Sequence, residues 1–181
     1  MKYIVLLRGI NISGKNKIAM SELKDTLIAN NYINVVTYLN SGNVILERDT
    51  SSKENISEDI SKIIKDKFNL DIPNFVMTDK ELEDILNNYP TWWGSNNKEI
   101  YDNLICIIPP TTYEMVYKTI GEPIKGIERI EKYKNYIFWS FDLKNYRKCN
   151  WWIKTASTNI KDQITIRTAN TMRKVLELCN K

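Results

Sequence analysis

The order of apolar runs and helical segments is what most constrains this chain, because that order occurs twice. Residues 2–8 (KYIVLLR) form a short, β-branched run closed by Gly9, the pattern of a strand. Ser21 then heads SELKDTLIANN, where Leu23, Leu27 and Ile28 fall at helical spacing and Ser21 suits an N-cap. Residues 35–39 and 44–47 are two strands around Asn40-Ser41-Gly42-Asn43, a turn that predicts a β-hairpin. A helix over 55–68 puts Ile56, Ile60, Ile63 and Ile64 on one face, and 74–77 is a fourth strand. A connecting helix over 79–88 should stop before Pro90, which cannot continue it.

After TWWGSNN the order starts again. Residues 104–108 are an apolar strand stopped by Pro109-Pro110, and Thr111/Thr112 cap a helix through Ile120. Strands over 127–133 and 136–141 flank Lys134-Asn135. Residues 146–155 are helical, 163–167 a strand and 170–179 a last helix. Each half therefore reads β-α-β-β-α-β, an order that folds as a split βαβ sheet. The expected fold is α+β: two ferredoxin-like subdomains sharing a core, over residues 1–90 and 91–181, with a C-terminal helix.

Connection rules give this order a spatial consequence. Strands one and two are not adjacent in such a sheet, and strand three pairs with both. The loop over 9–17 and the hairpin turn over 40–43 must then lie at the same end of the sheet. Strand one (IVLL) is apolar on both sides, which predicts a strand covered on both faces.

The first of these loops, G-I-N-I-S-G-K-N from Gly9, stops one residue short of a phosphate-gripping P-loop. Asn16 stands where that motif needs Ser or Thr for magnesium, and the helix is expected only near Ser21. A P-loop is therefore not expected. Two readings remain. In one, Gly9 and Gly14 supply positive φ, and Asn11, Ser13 and Asn16 fold the loop through side chain–backbone bonds. In the other, Arg8, Lys15 and Lys17 supply positive charge, and Asn11, Asn16, Ser41 and Asn43 supply hydrogen bonds to an anion.

Charge is uneven along the chain, which fits either an anionic partner or a composition simply rich in Lys. Residues 1–90 carry 11 Lys/Arg against 13 Asp/Glu, whereas 91–181 carry 15 against 9. There is no histidine, which removes Ser-His and Cys-His nucleophile systems and the commonest metal ligand. Cys106, Cys149 and Cys179 are odd in number and far apart, which fits neither a disulfide framework nor a zinc site. No metal or membrane partner is expected, no cofactor is named by any motif, and the expected compartment is the cytoplasm. The N-terminal apolar run is too short for a secretory signal, and no run of about 18 apolar residues predicts a membrane span.

The segment RGINISGKNKIAMSEL followed by TYLNSGNV resembles the opening of the bacterial family called domain of unknown function 1697. ITIRTANTMRKVLEL is similar to that family's closing strand and helix. The resemblance implies two ferredoxin-like subdomains and brings no established reaction. Its recurrent positions map to Arg8, Gly9, Asn11, Gly14, Lys15, Asn16, Lys17, Ser41, Gly42 and Asn43, then to Thr165, Arg167 and Asn170. Many relatives carry an aromatic beside the terminal asparagine, where this chain has TIRTAN.

Other features are weaker. Trp92-Trp93 and Trp151-Trp152 invite base stacking beside Tyr146, Arg147, Lys148 and Lys154; the alternative is that one tryptophan of each pair is core and the other covers a neighbouring helix. The order matches RNA-recognition modules, but VILE offers no signature aromatic and the first strand only Tyr3. Glu81 and Glu83 do not share a helical face, so they are no catalytic pair. Arg167, Asn170 and Lys174 suggest a second anion site, although Asn170 also suits a helix cap. The leading expectation is a binding protein for a phosphate-bearing ligand, a nucleotide or nucleic acid, at the 9–17 loop and the 40–43 turn. The alternatives are an enzyme on a small anionic substrate at the same edge, or a structural or regulatory module.

Overall fold

The computed structural model describes residues 1–49 and 51–181. The chain divides into two compact units, Met1–Glu83 with Val175–Lys181, and Asp84–Lys174. The first contains β1 (Lys2–Leu7), α1 (Met20–Ala29), β2 (Ile33–Tyr38), β3 (Asn43–Glu47), α2 (Lys53–Phe68) and β4 (Asn74–Thr78), in the sheet order β2-β3-β1-β4. All pairs are antiparallel, and Val5 of β1 faces Val44 on one side and Val76 on the other. This is the ferredoxin-like order that the sequence predicts, with strand three between strands one and two.

Alternation along β1 explains its two buried faces. Tyr3, Val5 and Leu7 pack with Leu23 and Leu27 of α1 and with the isoleucines Ile56, Ile60, Ile63 and Ile64 of α2. Ile4 and Leu6, pointing the other way, are also fully buried. Side-chain bonds secure α2. Ser52 accepts from the Asn55 N–H at its N-cap, and Asn69 ends it in the left-handed conformation that suits a C-cap. Asp59 of α2 accepts hydrogen bonds from Tyr32 and Arg48, and the Arg48 guanidinium lies 4.7 Å from the Tyr32 ring centre.

α3 (Asp79–Asn87) leads into the second unit, which contains β5 (Ile100–Ile107), α4 (Tyr113–Ile120), β6 (Glu128–Tyr133), β7 (Tyr136–Asp142), α5 (Asn150–Ser157) and β8 (Ile164–Thr168). Its sheet order is β6-β7-β5-β8, again all antiparallel. Ile105, Ile107, Ile137, Trp139 and Ile164 form the helix-facing core with Val116 and Ile120 of α4 and Trp151 of α5. α6 (Ala169–Cys179) closes the chain.

Several boundaries differ from the sequence reading, each for a physical reason. β5 begins at Ile100 rather than 104, because Asp102 and Asn103 are polar yet buried in the strand, which hydropathy alone does not signal. Asp102 accepts from the Ser95 N–H at 3.0 Å and from the Ser140 hydroxyl. The helix expected over 146–155 is instead a 3-10 turn, Leu143–Lys148, followed by α5, with Cys149 extended between them. Asp142 caps the turn. The start of α5 is fixed from a strand: the Glu128 carboxylate accepts the N–H groups of Asn150 at 2.7 Å and Trp151 at 3.2 Å. Each Trp pair splits between core and surface. Trp93 and Trp151 are buried with their indole N–H bonded to Asn103 O and Gly121 O, while Trp152 is 40% exposed.

Candidate functional site

The 9–17 loop is a miniature hairpin. Lys15 N–H donates to Ile12 O at 2.9 Å, and Asn11 N–H donates to Asn16 O at 3.1 Å. Ser13 and Gly14, the two central residues, both have positive φ (49° and 77°), as a type I′ turn requires. The glycine that looked like part of a phosphate loop is therefore the second residue of a tight turn. No helix begins at Gly14-Lys15. α1 starts five residues later, with Ala19 rather than Ser21 at its N-cap and no side chain capping it. Ser21 lies inside the helix.

Asn11 joins this loop to the rest of the first unit. Its amide nitrogen donates to Ile18 O and to Asn40 O, both at 2.9 Å, and its carbonyl accepts from Ile18 N–H at 2.9 Å. The bond to Asn40 demonstrates the convergence of the two loops. Their backbones also meet directly: Leu7 N–H donates to Gly42 O at 2.8 Å. Gly42, at φ 81°, has no room for a side chain; a Cβ there would lie 2.7 Å from Leu7 Cβ and 2.8 Å from Ile10 Cδ1.

The other expected site residues divide by burial. Asn43 is buried, and its amide donates to Tyr38 O at 2.8 Å and Ser41 Oγ at 3.2 Å. Asn16 donates to Gly9 O at 3.0 Å. Lys15, Lys17 and Ser41 are exposed, and Arg8 is half-buried. Among the described residues neither Lys15 nor Lys17 has a carboxylate partner. Beside the loop is a shallow depression of about 420 Å³, lined by Asn11, Gly14, Lys17, Ile18, Ala19 and Asn40. It opens at the head of α1, whose ladder begins with Leu23 N–H to Ala19 O at 2.9 Å, beyond the first-turn N–H groups of Met20, Ser21 and Glu22.

Arg167 and Asn170 lie in the second unit. Arg167 is buried on β8, and its guanidinium donates to Thr165 Oγ1 at 2.8 Å and Ile166 O at 2.9 Å. Asn170 is exposed in the first turn of α6 and does not cap it. The cap is Thr168, whose hydroxyl accepts from Thr171 N–H at 3.2 Å.

The sequence profile of the family described as protein of unknown function (DUF1697) matches residues 1–138. The chain belongs to this family. The matched span of the DUF1697 chain includes the 9–17 loop and the hairpin turn and ends before Thr165, Arg167 and Asn170. Among solved structures, it is similar to the conserved bacterial protein SP0830 from Streptococcus pneumoniae. The identity is 26% and the TM-score 0.85, over 98% of this chain and 97% of that one. The first two RRM domains of yeast poly(U) binding protein align over 93% of this chain and 99% of that chain. The identity there is 10% and the TM-score 0.23. No curated protein matches it.

Two buried acids had no signal in the sequence. Glu128, besides the α5 N–H groups, accepts from Ile124 N–H at 3.0 Å and from the Trp139 indole at 3.3 Å. Asp102 binds two serines. Their partners lie 4 to 38 residues away, and the most distant, Ser140, is brought to Asp102 by the pairing of β5 with β7. A second cavity, of about 320 Å³, adjoins them, with Trp92, Arg129, Ser140 and Phe141 in its lining. Among the described residues no group of His, Cys, Asp and Glu is placed to hold a metal ion, and no helix is long and apolar enough to cross a membrane.

Proposed function

We propose that the first unit binds a phosphate-bearing ligand, of nucleotide class, in the depression at the head of α1. One observation carries this reading: an uncapped helix N-terminus faces an acid-free loop with Lys17 at the rim. First-turn N–H groups and the helix dipole favour an anion at such a place. Lys17 and Lys15 supply charge from the loop, and Arg8 supplies it from the end of β1. Asn11, Asn16 and Asn43 act by positioning, since their amides are bonded to the protein's own backbone, with Ser41 exposed beside them. Lys17 is the one ionisable side chain among the residues lining the depression, which favours binding over acid–base chemistry. The three free, buried cysteines support a cytoplasmic setting.

Ligand that binds only the native state stabilises it by about 2.7 kcal/mol at 100 times its dissociation constant. A thermal-shift panel of phosphate, sulfate, mononucleotides and dinucleotides at fixed ionic strength therefore tests the proposal. The expected result is a rise with one phosphate class that is lost in Lys17→Ala and in Ala19→Asp, which places a carboxylate at the helix head. A flat panel overturns it. It would favour a second reading, supported by the bonds of Asn11, in which the motif serves only to fasten the loop to the hairpin.

A further inference from the structure

The segment from Leu143 to Lys161 contains five Lys/Arg and no Asp or Glu, and the proposed anion site in the first unit does not use it. It forms the 3-10 turn and α5 of the second unit. Trp151 faces inward, so the next residue, Trp152, is left 40% exposed. Trp152 is held on two sides. Its ring lies 5.4 Å from Phe141 and 5.3 Å from Tyr146, both edge-on, so it is a braced platform rather than a loose side chain. Arg147 extends this surface. Its Nε donates to the Tyr146 hydroxyl at 2.9 Å, and its guanidinium lies 5.5 Å from that ring's centre. Lys148, next in sequence, is exposed. Among the described residues neither Arg147 nor Lys148 has an acidic partner. Lys144 and Lys154 are engaged, with Glu99 and with Ile120 O.

We infer that the surface of Tyr146, Arg147, Lys148 and Trp152 binds single-stranded nucleic acid. An exposed, immobilised indole stacks on any base, and Arg147 and Lys148, which have no acidic partner, meet the phosphates flanking that base. An acidic peptide would use the cations and leave the indole unused. A membrane surface needs a longer apolar face than the eight residues of α5 provide.

The test uses the full chain and fluorescein-labelled 12-mers of dT and rU, read by anisotropy, with a 12-bp duplex and anionic phospholipid vesicles in parallel. Both single strands should bind and compete with each other. The log–log dependence of the binding constant on salt should have a slope of at least about −1.4, the value for two phosphates on a single strand. Arg147→Ala with Lys148→Ala should flatten that slope, and both residues are exposed enough for the fold to survive. Trp152→Ala should weaken binding roughly tenfold or more, and Trp152→Phe should recover part of the loss. Lys17→Ala should change nothing here, which separates this surface from the anion site in the first unit. No binding to either strand overturns the inference. So does binding insensitive to the Arg147/Lys148 pair, binding lost only in Lys17→Ala, or binding to vesicles alone.

Discussion

At Asn11 a single carboxamide joins three backbone segments: the loop, the approach to α1 and the hairpin turn. A net hydrogen bond contributes about 0.5–1.5 kcal/mol. With three such bonds lost, Asn11→Ala is expected to destabilise the protein by about 1.5–4.5 kcal/mol, lowering Tm by several degrees in calorimetry. Asn11→Asp should not rescue it, because a carboxylate cannot donate to Ile18 O and Asn40 O. Two glycines with similar φ give a cleaner contrast. At Gly9 an added Cβ meets nothing within 4 Å, so Gly9→Ala pays only for the left-handed backbone, about 1–2 kcal/mol. Gly42→Ala adds the collision with Leu7 and Ile10. Urea denaturation should show Gly42→Ala to be clearly the more damaging of the two.

At the scale of elements, α1 and α5 solve the same problem differently. Each starts without a cap from its own N-cap side chain. For α5 the acceptor comes from β6, where Glu128 takes the N–H groups of Asn150 and Trp151. Removing it strands those donors, and Glu128→Ala should cost about 3 kcal/mol or more, with lost helicity around Trp151 in hydrogen exchange. Glu128→Gln keeps one acceptor and should lose less. α1 has no such supplier, so Ala19→Asp should raise the stability of the ligand-free protein by about 0.5–2 kcal/mol. The same substitution removes the proposed anion site. A variant that is both more stable and still responsive to phosphate would place the ligand elsewhere.

At the scale of the whole molecule, two helices pack on one face of the sheet in each unit; Cys149 lies in that layer of the second unit, and Cys106, between Ile105 and Ile107 on β5, points to the opposite face. All three cysteines are buried and free. Burial pushes the Cys106 thiol up to about 12, and the Cys149 and Cys179 thiols up to about 11. Raised thiol pKa values mean that the unfolded chain loses protons first as pH rises. Stability is then full below about pH 9 and falls as pH climbs through the folded values. Denaturation midpoints measured between pH 8 and 11 should decline, and less so in variants with Cys→Ala. In the native protein at pH 8, none of the three should react with a thiol reagent until the fold opens.

Element order, the duplicated ferredoxin-like topology and the meeting of the 9–17 loop with the hairpin are legible in the sequence alone. Period-2 and period-3.6 patterns are local, and connection rules then leave few arrangements of four strands. The sequence also offered Asn11 as a residue that folds its own loop, but not as the link from that loop to the hairpin. Which atoms a carboxamide meets depends on backbone 29 residues away, and only the folded hairpin supplies Asn40 O. Thr112 does cap α4, as its position suggests, but the starts of α1, α5 and α6 were misread for the same reason. Ser21 has the chemistry of a cap but not the position, Asn170 yields to Thr168, and the acceptor for α5 lies on a strand. Tertiary structure alone decided these points, because a buried polar group is satisfied by whatever the fold brings within about 3 Å, and sequence spacing does not encode that distance.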